Sequence, residues 1–176
     1  MDPVRHPDDI TRFFQGLTEH AFQATLGVVD PPLVDYVSVL LVRYVRSDSI
    51  ASWPGCGRKP RPAIPAVEQL WRAEASATDS PADPPLQREG YRELGDAALF
   101  WTGLYPEAVR RPRGGLAEEL TPSVADYRAV GRRAYWLASR LPAADPDDEG
   151  RLLARLSREF DLCVAGLAEV RKSWAD

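Results

Sequence analysis

Apolar side chains recur at helical spacing along the C-terminal part of the chain. They step by four and three positions in alternation, which places them on one side of an α-helix: Leu156, Phe160, Cys163, Leu167, Val170 and Trp174. A helix buries such a stripe only against a neighbouring element, and in this chain that element is another helix. The spacing therefore predicts a helical bundle and carries no information about chemistry.

Length and composition favour one ordinary globular domain. The chain has 176 residues, of which 44% are hydrophobic and 27% are charged, and we expect residues 1–176 to form a single helical domain. The formal net charge of −4 disfavours non-specific binding to nucleic acid, which needs a basic surface. The first residues do not resemble a signal peptide, and the longest apolar run, near 37–42, is too short to cross a bilayer. We therefore expect a cytoplasmic protein with neither a nucleic-acid nor a membrane partner.

The use of arginine and cysteine bears on the source and the compartment. Arginine replaces lysine at nearly every basic position, which is typical of a bacterial genome rich in G and C. Cys56 and Cys163 are far apart and are expected to be free thiols in a reducing compartment. Cys56 lies beside Arg58 and Lys59, which favour a reactive thiolate, but no histidine is placed near it by the sequence. We expect an incidental loop cysteine.

Beyond the first ten residues, aspartate or threonine precedes proline at four places. The first residue of each pair can accept hydrogen bonds from the free amides of a helix, and the fixed φ of proline suits the first helical turn. The sequence therefore predicts helix starts at Asp30-Pro31, Asp83-Pro84, Thr121-Pro122 and Asp145-Pro146.

The apolar spacing and these starts together predict an all-α fold, a compact bundle of five or six helices with a long Pro/Gly-rich loop around 47–65. The first helix runs from about Asp8 to Leu26 and ends near Gly27. The second carries apolar residues over most of its circumference, so we expect it to be central in the fold or at a subunit contact. A short third helix covers about 65–77. The fourth begins near Leu86 and is kinked or ended by Pro106, and the fifth ends near Leu141.

Large aromatic side chains gather near the predicted end of the fourth helix. Trp101 and Tyr105 combine apolar area with a polar tip, which suits a ligand pocket or an interface, but the same residues also suit the core. Small residues in this helix, Gly95 among them, would let a neighbouring helix approach closely. An alternative function follows, in which an apolar pocket for a small molecule is walled by Tyr44, Trp101, Tyr105 and Tyr127.

His20 is the candidate for chemistry. Its position between Leu17 and Ala24 predicts that it lies on the buried stripe of the first helix, either as a hydrogen-bonded core-edge histidine or as a base or metal ligand. The sequence lacks the Glu-x-x-His pairs of a di-iron bundle and enough His or Cys for zinc, so we expect no metal and no cofactor.

Carboxylates in the fourth helix supply the weakest alternative, an enzyme in which His20 works with Glu93 or Asp96. The spacing of Arg92 and Asp96 instead favours a local ion pair. Phosphate-loop, dinucleotide-binding, Cys-x-x-Cys and nucleophile-elbow motifs are absent from the sequence. We therefore expect a non-enzymatic protein that binds another protein or itself, the latter as a homodimer.

Overall fold

The computed structural model describes residues 7–46, 83–107, 109, 124–143 and 149–175. All regular structure in these ranges is helical, which confirms the predicted all-α class. The helices are α1 (Pro7–Glu19), α2 (Pro31–Arg46), α3 (Pro84–Leu104), α4 (Val124–Arg140), α5 (Glu149–Arg158) and α6 (Phe160–Ala175). The predicted helix at 65–77, the loop around 47–65 with Cys56, and the starts at Thr121-Pro122 and Asp145-Pro146 lie outside the described residues.

The chain divides into two compact units, one formed by Met1–Pro60 with Ala165–Asp176 and the other by Arg61–Val164. In the first unit, α1 packs on α2. The rings of Phe14 and Trp174 also meet edge to face there, with centroids 5.3 Å apart. In the second unit, α4 packs against both α3 and α5. The prediction of a single domain stays a prediction.

The end of α1 departs from the predicted stripe. A π-helical turn, His20–Thr25, follows α1, and the Leu26 amide donates to the Ala21 carbonyl five residues back, at 3.2 Å. This wider turn rotates the residues within it away from the positions that an α-helix would give them. His20 and Ala24 are exposed, whereas Phe14, Thr18, Ala21 and Phe22 are buried. The predicted buried position of His20 is wrong, because the buried face is offset from the predicted stripe already before this turn, where Phe14 and Thr18 are buried and Phe13 is 45% exposed.

The predicted stop at Gly27 is confirmed. Gly27 has φ +68°, the left-handed conformation that glycine adopts without steric cost. The next amide, that of Val28, turns back and donates to the Phe22 carbonyl at 2.8 Å. The Val28 N–H thus supplies a donor to one of the carbonyls that the end of the helix would otherwise leave without one.

Helix α2 begins as predicted after Asp30. The Asp30 carboxylate accepts a hydrogen bond from the Leu33 amide at 3.4 Å, and its carbonyl accepts one from the Val34 amide at 3.0 Å. The apolar residues of this helix are mostly buried, including Leu33, Val34, Val37, Leu40, Leu41 and Val42. Val39 is the exception, with 67% of its surface exposed.

The C-terminal stripe is confirmed. Five of its members are fully buried, from Leu156 to Val170, and Trp174 is half-buried. The predicted single helix is divided into α5 and α6 at Glu159. Backbone bonds continue across this junction, since the Glu159 amide donates to the Arg155 carbonyl at 2.8 Å and the Cys163 amide to the Glu159 carbonyl at 3.0 Å.

Candidate functional site

A groove on the first unit is the best candidate for a binding site. It lies between α1 and α2, has a volume of about 760 Å³, and is called here the α1–α2 groove. Helix α1 contributes two polar residues to its wall, and α2 contributes the rest: Thr11, Gln15, Asp35, Ser38, Val39, Val42 and Arg43.

The spacing of the α2 residues explains the shape of this groove. Asp35, Val39 and Arg43 follow one another at intervals of four, which forms one ridge along the helix surface. Ser38 and Val42 form a second, buried row beside it. The Ser38 hydroxyl donates to the Val34 carbonyl at 2.8 Å, so its polar atom is satisfied within its own helix. The groove therefore combines an apolar centre with a polar rim.

The two charges at the rim have opposite signs and stand symmetrically about Val39. Each lies four residues away, which is about 6 Å along the helix axis. Within the described part of the chain, Asp35 makes no ion pair. The guanidinium carbon of Arg43 lies over the Tyr44 ring, 5.4 Å from its centroid.

The predicted aromatic site proves to consist largely of core residues. Trp101 and Tyr105 are buried and form a cluster with Phe100, in which the ring centroids lie 5.5, 5.8 and 5.9 Å apart. Tyr127 is buried on α4 in the same unit, whereas Tyr44 is half-buried on α2 in the first unit. A ligand pocket walled by these residues stays a prediction.

A chain of polar contacts runs from the interior of the second unit to its surface. The buried Tyr135 hydroxyl donates to Asp96 Oδ1 at 2.7 Å, and Asp96 Oδ2 lies 3.7 Å from Arg92 Nη1. Arg92 in turn donates from Nε to Glu89 Oε2 at 2.8 Å. The predicted pairing of Arg92 with Asp96 is confirmed. The contacts made by Asp96 are those of a structural group that is held in place on both sides.

Tyr135 was not among the residues predicted for a site. The sequence does carry a signal for it, a row at intervals of four formed by Tyr127, Gly131 and Tyr135. All three residues are buried. His20, which was the candidate for chemistry, lies exposed in the first unit, so the burial on which its proposed role depended does not occur.

Trp136 forms a second exposed feature, on α4. The guanidinium carbons of Arg133 and Arg140 each lie 5.1 Å from the centroid of its ring. Cation–π contacts of this kind cover an aromatic face with charged, hydrated groups. This surface is therefore less suited to apolar docking than the α1–α2 groove.

Across the described ranges, no group of three or more His, Cys, Asp or Glu side chains is placed to hold a metal ion. None of the helices in these ranges has the length and apolar character needed to cross a bilayer. Comparison of the chain with family models, with curated protein sequences and with solved structures gives no match.

Proposed function

We propose that this protein acts without catalysis, by binding another protein chain in the α1–α2 groove. The observation that supports this proposal is the exposure of Val39, at 67%, on a helix whose other valine and leucine side chains of described burial are buried. An exposed aliphatic side chain is common by itself, but one at the centre of a groove with a polar rim is typical of an interface.

The form of the groove favours a helical partner segment. Two packed helices leave a furrow between them, and an amphipathic helix lays its apolar face into such a furrow. Val39 and the adjacent Val42 would contact the apolar face of that helix. Asp35 and Arg43 would meet its polar flanks, together with Thr11 and Gln15 on the α1 side.

Magnitudes show that the apolar centre is not sufficient by itself. Full burial of a valine side chain contributes about 1.5–3 kcal/mol, whereas micromolar affinity corresponds to about 8 kcal/mol. A stable interface buries about 800 Å² on each partner. The bound segment must therefore also contact the rim, and the charges there select which segment fits.

A photo-crosslinking experiment tests the proposal. A benzophenone amino acid is introduced at position 39 of the full-length protein in the host cell, and the adducts are identified by mass spectrometry. Val29 supplies the matched control, because it is the same residue type, belongs to the same unit, is 82% exposed and lies outside the groove.

We expect a discrete protein adduct from position 39 that is absent from position 29. The same adducts from both positions, or none from position 39, would contradict the proposal. A small molecule retained in the groove would instead support the alternative of a ligand-binding protein, and native mass spectrometry of the purified protein detects it.

We further propose the bacterial cytoplasm as the compartment. Cys163 is buried in the core and is not part of a disulfide, and proteins of reducing compartments commonly keep their cysteines reduced. The preference for arginine over lysine supports a bacterial source.

A further inference from the structure

We propose that the segment bound in the α1–α2 groove is α2 of a second copy of this chain, in antiparallel orientation. The inference rests on the proposed function and names its partner. It is drawn from the arrangement of charge on the exposed ridge Asp35–Val39–Arg43.

This ridge is complementary to itself. In a twofold contact centred on Val39, each residue on one side of the axis meets its counterpart from the other side. Asp35 of one copy then faces Arg43 of the second copy, and the reverse pair forms on the other side of the axis. Val39 meets Val39 at the centre, so the exposed Val39 side chains of both copies are covered at once.

The same arrangement determines the orientation. A parallel contact in the same register would place Asp35 against Asp35 and Arg43 against Arg43, and like charges in close contact repel. Only the antiparallel contact brings opposite charges together at both ends. Because each charge lies four residues from Val39, the two pairs come into register without any shift along the axis.

The charges of Asp35 and Arg43 mainly determine the orientation of the contact and the choice of partner. Ion pairs between exposed side chains add little net affinity, whereas like charges placed at an interface exclude the wrong arrangement. Val39 and Val42 of α2 supply the apolar contact, and Thr11 and Gln15 on the α1 side add polar contacts. A reversible dimer that responds to salt is the expected assembly.

Reversal of single charges tests the inference on the full-length protein. Asp35→Arg gives a chain with arginine on both sides of Val39, and Arg43→Asp gives a chain with aspartate on both sides. Analytical ultracentrifugation at low salt measures the dimer dissociation constant of each variant. We expect self-association of each single variant to weaken by about tenfold or more, since two attractive pairs become repulsive.

An equimolar mixture of the two variants tests whether these charged positions meet in the contact. The arginine-rich chain and the aspartate-rich chain carry opposite charges at both positions, so in the twofold contact the mixture should form a heterodimer with an affinity near that of the wild type. Native mass spectrometry separates this heterodimer from the homodimers. The double variant D35R/R43D should also recover self-association. Circular dichroism verifies that each variant keeps its helix content.

Several outcomes would overturn the inference. If both single variants dimerise as tightly as the wild type, the copies meet on another surface. If each single variant dimerises more weakly and the mixture does not restore dimerisation, the twofold pairing is excluded. A monomeric wild type with an adduct from position 39 to a different protein would leave the proposed function intact and remove only the second copy. A monomeric wild type that gives no adduct from position 39 would contradict both the inference and the proposed function.

Discussion

Tyr135 and Asp96 form a buried hydrogen bond between two helices of the second unit, with the hydroxyl oxygen 2.7 Å from the carboxylate. The residues are separated by 39 positions in the chain, and each is almost completely removed from solvent. This bond ties α4 to α3 at a point where the ring of Tyr135 also lies directly over Gly95. The Tyr135 side chain therefore contacts α3 in two ways, through its ring at Gly95 and through its hydroxyl at Asp96.

Tyr135→Phe tests the bond. The substitution removes one hydroxyl and leaves the buried Asp96 with one donor fewer, so we expect the free energy of unfolding to fall by about 1–3 kcal/mol in urea titrations. The change in ring volume is too small to account for such a loss.

A double-mutant cycle with Asp96→Leu isolates the pair. Replacement of both partners by apolar groups of similar shape costs less than the sum of the single changes, so we expect a coupling energy above about 0.5 kcal/mol. Additive losses would show that the two side chains do not depend on each other.

Gly95 gives a second prediction, because a methyl group has no space there. A Cβ atom at this position would lie 2.7 Å from carbon atoms of the Tyr135 ring. Alanine is the better helix former by about 1 kcal/mol, but the overlap should outweigh this, and we expect Gly95→Ala to lower stability by about 1–3 kcal/mol.

Gly90 is the matched control on the same helix. A Cβ atom at Gly90 would meet nothing within 4 Å. Gly90→Ala should therefore raise the free energy of unfolding by about 0.5–1 kcal/mol, and the midpoint of thermal unfolding should rise with it. Gains of equal size at both positions would mean that the ring of Tyr135 can move away from Gly95.

The parts of the fold that could be predicted from the sequence are those determined by local chemistry. The start of α2 after Asp30 depends on neighbours a few residues away, and so do the stops at Gly27 and before Pro106. The stripe of α5 and α6 could be predicted because its apolar residues recur at helical spacing. The predicted close approach of a helix at Gly95 is also confirmed.

The remainder depends on which helices become neighbours. The partner of Asp96 comes from a helix far along the chain, and the exposure of Val39 depends on which face of α2 is packed. His20 was assigned to the wrong side because the stripe was placed by apolar residues alone, whereas the buried face of α1 includes the polar Thr18 and leaves Phe13 45% exposed.

Two Asp-Pro helix starts differ in a way that stability measurements resolve. Asp30 is buried and its carboxylate accepts from the Leu33 amide, whereas Asp83 makes no side-chain bond to the first turn of α3. Asp30→Ala should cost about 0.5–2 kcal/mol, the usual loss for removal of an N-cap. Asp83→Ala should lower stability by only a few tenths of a kcal/mol. An equal loss of stability at both positions would show that the proline determines both helix starts.

A substitution at Leu167 tests the burial of the C-terminal stripe most directly. Its side chain is fully buried in α6, one turn from the buried Cys163. Truncation removes apolar contacts and leaves a cavity that the surrounding side chains fill only in part. We expect Leu167→Ala to lower the free energy of unfolding by about 2–5 kcal/mol.

Leu86 is the matched control for this truncation. It lies in the first turn of α3 and is 70% exposed, so Leu86→Ala removes the same atoms without leaving a cavity. The loss there should stay within about 0.5 kcal/mol. A comparably small loss at Leu167 would place that side chain in contact with water and would contradict its assignment to the core.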